Sequence, residues 1–194
     1  MPSLLPGLGR RSSPAIRRKW WLGFACLWLA AWAAAADSGP VAGEYQVKAA
    51  FIYNFTKFTA WPTNAFSSTT APLVIGIVGE DPFGQTMDDV VRGETVGERP
   101  LVVKRLRPED DLRGCHVLFI SRSEKERLPA VLSQLKGSPV LSVSEINGFA
   151  EQGGMVNLLL VSKTVKLEIN QAAAEQAGLQ LSAKLLKLAR LVKP

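Results

Sequence analysis

Two short runs limit this chain's folding options more than any other feature. Leu-Val-Ile-Gly-Ile-Val at 73–78 and His-Val-Leu-Phe-Ile-Ser at 116–121 are apolar at successive positions rather than at alternate ones. A strand of that kind is covered on both faces, which places it inside a sheet with helices above and below. The segments between agree. Residues 83–91 read as a short helix, 101–106 as a second strand and 139–143 as a fourth. Ser123 and Glu126 form a capping box ahead of a helix carrying Leu128, Val131, Leu132 and Leu135, with Gly137 as its stop. Strand and helix mostly alternate, so the sheet is largely parallel.

The pattern then changes. Residues 155–161 and 165–169 are strands separated only by Ser162-Lys163-Thr164, a link that permits only an antiparallel hairpin. Asn170 caps a helix over 172–177 that stops at Gly178, and Ser182 starts a last helix with Leu185, Leu186, Leu188, Ala189 and Val192 on its apolar face. The fold expected is a single α/β domain: a mainly parallel sheet flanked by helices, ending in a C-terminal antiparallel hairpin. A leading helix over 45–58 lies on that sheet. Val47, Phe51, Phe55 and Phe58 form its stripe, Lys48, Asn54 and Lys57 face water, and Trp61-Pro62 ends it.

Residues 1–36 are of another character. Arg10, Arg11, Arg17, Arg18 and Lys19 precede 17 uncharged residues that close on four alanines. This describes a cleaved secretory signal peptide, leaving 37–194 as the working domain; an uncleaved anchor is the other reading, since 17 residues is the short limit of a span. The leader holds 5 of 23 Lys+Arg and none of 17 Asp+Glu, so 37–194 has a net charge of +1. That removes any charge-based case for nucleic acid. With Cys26 in the leader, Cys115 has no internal partner; it is a buried small hydrophobe or an intermolecular bridge.

No catalytic set stands out. Gly76-Ile-Val-Gly79 lacks the spacing of a phosphate loop and reads as packing and turn. His116 is the only histidine, and its neighbour Cys115 points to the opposite strand face, so they make no zinc site. Asp88-Asp89 and Glu109-Asp110-Asp111 read as solvated surface, and Asn54 sits in a sequon that falls within a helix. No metal or cofactor is expected, and the chain reads as a non-enzyme.

Longer motifs point elsewhere. Tyr45-x-Val-Lys-Ala-Ala-Phe-Ile-Tyr-Asn-Phe-x-Lys-Phe-x-x-Trp-Pro62 resembles the opening signature of the YfiR family of periplasmic proteins. Asp81-Pro-Phe-Gly84, Cys115-His-Val-Leu-Phe-Ile120, Gly148-Phe-Ala150, Gly153-Gly-Met-Val-Asn-Leu158 and Leu167-Glu-Ile-Asn170 extend the resemblance over nearly all of 37–194. It implies a non-enzymatic periplasmic repressor in cyclic-di-GMP signalling and biofilm regulation. Such a protein binds the periplasmic sensor region of an inner-membrane diguanylate cyclase, and an OmpA-like outer-membrane lipoprotein draws it away. A different membrane receptor, and a homodimer, stay open as partners. The loop at 148–157 is the contact surface expected, with Phe149, Met155, Val156, Glu168 and Asn170 as partner-binding residues. Phe149 is either an exposed anchor there or a ring tucked into the core. The alternative function is a periplasmic solute-binding module, with its ligand near the strand ends after Val78 or Ser121.

Overall fold

The computed structural model describes residues 40–193, with side chains from Gly43 onward. The leader reading of residues 1–36 lies outside them. The described chain belongs to one compact unit, Ser38–Pro194.

Helix α1 (Pro40–Phe58) leads, starting five residues before the sequence suggests and with proline in its first turn, where the missing N–H costs nothing. Strand β1 (Thr59–Ala60) follows, then β2 (Leu73–Val78), α2 (Gln85–Val91), β3 (Thr95–Val96) and β4 (Arg99–Leu106). Next come β5 (Val117–Ile120), α3 (Leu128–Leu135), β6 (Leu141–Ser144) and the hairpin β7 (Val156–Val161) and β8 (Thr164–Ile169). The chain closes with α4 (Gln171–Gln176), β9 (Gln180–Leu181), α5 (Ala183–Leu186) and β10 (Ala189–Leu191).

Eight strands form one sheet in the order β10-β8-β7-β6-β5-β2-β4-β3. The pairs β4/β2, β2/β5, β5/β6 and β6/β7 are parallel, β7/β8 and β3/β4 antiparallel, and β10 lies parallel to β8. β1 and β9 make a separate two-stranded ribbon. Both faces of β2 and β5 are buried, as their composition requires. Leu73, Ile75, Ile77, Val117 and Phe119 face Ile52 and Phe55 of α1 and Met87 of α2. Val74, Val78, Leu118 and Ile120 face Leu128, Val131 and Leu135 of α3. Gly76 permits that second layer: a Cβ there would lie 2.5 Å from Cys115 Sγ and 2.9 Å from Leu118 Cδ1.

Three sequence expectations are corrected. The α1 stripe is rotated by about one residue: Lys48, Ala49, Ile52, Phe55 and Thr56 are buried, while Val47 is exposed. Lys48 therefore lies inside, not in water. Ser121, not Ser123, caps the segment after β5, which runs as a 3-10 helix over Arg122–Arg127 before α3 begins. The last helix stops at Leu186, where the chain extends as β10 to pair with β8, leaving Leu188 and Leu191 exposed.

Candidate functional site

The residues singled out after position 147 are brought together around one loop, though not on one face. Gly148 (φ +72°) and Gly153 (φ +97°) turn the chain over the α3 side of the sheet. Phe149 between them has no exposed surface; its ring completes the core made by Val78, Ile120, Leu128 and Ile146. It is the tucked reading that this conformation adopts, and contact through the ring would require it to leave that pocket. A Cβ on Gly154 would lie 2.2–2.4 Å from three carbons of the Phe149 ring, so glycine is what lets the loop close over it.

Beneath the loop lies a buried polar row. Asn170 Oδ1 accepts from Ala173 N (3.0 Å), capping α4, while its Nδ2 donates to Ala150 O (3.0 Å). Glu168 stands opposite Asn157 across the hairpin and accepts from its Nδ2 at 3.4 Å. Arg190 of β10 donates to Glu168 through Nε (3.0 Å) and lies 3.5 Å from Glu151. Loop, hairpin and edge strand are thus joined by one chain of charge-assisted contacts. Met155 is buried at the loop's end and, like Val156, packs in the core on the α1 side, away from Phe149.

Next to the loop, between α3 and α4, is a groove with a cavity of about 270 Å³. Leu132, Lys136, Gln152, Met155, Asn170 and Ala173 are among its lining residues. Met155 and Asn170 are at the same time in the groove and in the predicted contact set. Gln152 and Lys136 are the exposed groups on its rim that sequence reasoning missed. Both become visible only when the end of α3 meets the 147–154 loop.

A second cluster lies at the C-terminal ends of the inner parallel strands, beside β6. Lys48 of α1 is wholly buried between the carboxylates of Glu44 and Glu145, the latter just past β6. Tyr45 Oη donates to Glu145 at 3.1 Å, and Arg122 lies 3.7 Å from it. Burial, then the Glu145 charge, pushes the Tyr45 hydroxyl up to about 12. The crevice between β2 and β5, where the strand order reverses and a solute would be expected, is filled by the chain itself. Gly79 (φ +88°) packs against Ser123 and Glu124; Ser123 Oγ accepts from Glu80 N at 3.0 Å, and Arg127 Nε donates to the buried Glu124 at 2.9 Å.

His116 is held at both ring nitrogens by backbone, Nδ1 accepting from Val74 N (3.1 Å) and Nε2 meeting Ala65 O (3.1 Å); burial lowers its pKa. Cys115 is a buried free thiol pushed up to about 11 by desolvation. Asp88 pairs with Arg105, which lowers its pKa, and Asp111 caps a 3-10 turn. Asn54 is exposed on α1. Among the described residues no three His, Cys, Asp or Glu side chains cluster as metal ligands, and no helix is long and apolar enough to cross a membrane.

Among solved structures, the chain is similar to an ABC domain from Streptococcus pneumonia determined in complex with L-Trp, with 13% identity and a TM-score of 0.51. The match covers 77% of this chain and 60% of that one, and the likeness is one of fold. The family described as YfiR/HmsC-like matches over residues 45–190, from Tyr45 of α1 to Arg190 of β10, and the chain belongs to that family.

Proposed function

We propose that this protein is a periplasmic regulator that acts by contact on an inner-membrane signalling enzyme, a diguanylate cyclase before other receptors, and performs no chemistry of its own. The observation that carries the reading is membership of the YfiR/HmsC-like family over residues 45–190. The site is compatible with it. The loop at 148–157 and the adjoining groove offer exposed Lys136 and Gln152 over the buried Met155, and such a surface suits a protein partner. Glu168 and Asn170 hold that surface in place from below, and Phe149 and Val156 act through packing. A regulator of this kind needs different affinities for two states of its target, not a reacting group. An OmpA-like lipoprotein is the competing partner under the same reading.

The test is co-purification from membranes. The tagged protein should bring down a membrane sensor, and Lys136→Glu, an exposed substitution, should weaken that association about tenfold or more while the melting temperature stays within about 1 °C. Capture of no membrane protein, together with a single small molecule that raises the melting temperature, would favour the solute-binding alternative. The groove of about 270 Å³, rather than the filled crevice after Val78 and Ser121, is where such a molecule would sit.

A further inference from the structure

The C-terminal edge of the sheet carries a feature that contact through the groove does not use. Six large apolar side chains are exposed among the described residues, and four of them are here: Leu160 and Val161 at the β7–β8 tip, Leu188 just before β10 and Leu191 at its end. The register sets Leu188 nearer the hairpin tip and Leu191 at the far end of β10, level with Ile169. Val161 stands opposite Thr164, Leu160 opposite Val165, and Ala189 beside Leu167, so Leu188 falls level with Lys166. Charge is segregated to the same edge. Residues 162–193 contain five lysines and one arginine against Glu168 and Glu175. Lys163, Lys166, Lys184, Lys187 and Lys193 are exposed, and among the described residues none has a carboxylate within 4.0 Å. Among the described residues elsewhere, Arg92, Arg105, Arg107 and Arg127 each meet one while Lys104, Lys125 and Lys136 do not; at this edge Arg190 alone does.

We infer that this edge, with the hairpin tip at one end, docks on an anionic lipid bilayer. Exposed leucine and valine interleaved with unpaired lysines is the composition of an interfacial surface, where apolar tips enter the headgroup boundary and ammonium groups reach the phosphates. Each lysine near such a surface raises partitioning roughly fivefold. A second copy of the chain fits poorly, because two such edges would set lysine against lysine, and charged edge strands oppose pairing. A peptide added as a further strand would find only the three residues of β10 to pair with. The inference does not depend on the regulatory reading, since it concerns lipid and the chain alone.

Flotation with vesicles tests it. The full chain, purified after expression and with its N-terminus identified by mass spectrometry, is mixed with vesicles of phosphatidylglycerol and phosphatidylcholine (about 3:7) or of phosphatidylcholine alone. Any retained leader is common to every sample, so the readout is the difference between variants. Lys163→Glu/Lys187→Glu should lower the floated fraction on anionic vesicles about tenfold or more, Leu188→Ser should lower it severalfold, and 0.5 M salt should weaken the wild type as screening requires. Melting temperatures of both variants should match the wild type, since all three positions are exposed. Equal flotation of wild type and variants overturns the inference, as does wild-type binding that is indifferent to lipid charge. Salt-sensitive capture by polyglutamate without vesicle binding would instead make the edge a protein-docking face, and loss of a dimer in Leu188→Ser would make it a self-association face.

Discussion

Lys48 has no exposed surface, yet its ammonium group is held by two carboxylates, one a helical turn before it and one 97 residues on. A charge taken out of water at that cost is stable only while its partners remain. Replacing it with an apolar residue of similar length leaves Glu44 and Glu145 facing each other without a cation. Lys48→Met is expected to lose about 3–5 kcal/mol by urea denaturation. Glu145→Gln should lose less, because Glu44 still meets the ammonium. Lys48→Met/Glu145→Leu should recover part of the loss, and strict additivity would show that the pair is not coupled. Tyr45 gives the cluster a pH signature. Its folded pKa of about 12 lies above the ordinary 10.0, so the protonated hydroxyl contributes stability that is whole below pH 10 and lost as pH rises toward 12. Wild type should therefore lose stability more steeply across that window than Tyr45→Phe, and equal slopes would remove the assignment. This cluster was not legible in the chain. Lys48 read as solvent-facing because the sequence carries no mark of a carboxylate that arrives from the end of a distant strand.

At the scale of elements, most local signals hold and those that need a partner element do not, the Ser123 capping box being the local signal that fails. Asn170 and Ser182 cap their helices as expected, because a cap depends on three residues in sequence. The hairpin register follows from a two-residue turn in which Ser162 and Lys163 both have positive φ, 49° and 64°. By contrast the sequence predicts too long a last helix. Leu188 and Ala189 fit a helical stripe, but β8 offers an open edge, and the backbone bonds of β10 are made there instead. The 148–157 loop was legible as a unit, whereas the direction of Phe149 was not, since a ring beside two glycines can turn either way. Gly154 decides it. Its φ is not positive, so the demand is for space alone, and a methyl group would clash with the ring. Gly154→Ala should cost roughly 1–3 kcal/mol through overpacking, and Phe149→Ala about 3–5 kcal/mol through a cavity. The double variant should lose less than the sum, because without the ring the methyl has room. Full additivity in calorimetry would mean that the two do not touch.

The whole molecule joins a sheet buried on both faces at its centre to edges made of very short strands. β2 and β5 carry no exposed residue, and their backbone groups are paired on both sides. β3 has two residues and β10 three, each with one neighbour. Opening free energies within one protein range from near zero at such edges to the full unfolding value at the centre. Native-state amide exchange should therefore be slowest in β2 and β5, where exchange requires global unfolding. The amides of β10 should exchange at least ~1,000-fold faster, corresponding to about 4 kcal/mol less protection. The same measurement bears on the lipid-docking edge. If β10 is bare in solution, adding anionic vesicles should slow exchange at Ala189–Leu191 and around Ser162 while leaving β2 unchanged. Protection of β10 equal to that of β5 in the absence of lipid would mean that the edge is already covered, and a second copy of the chain would then have to be its occupant.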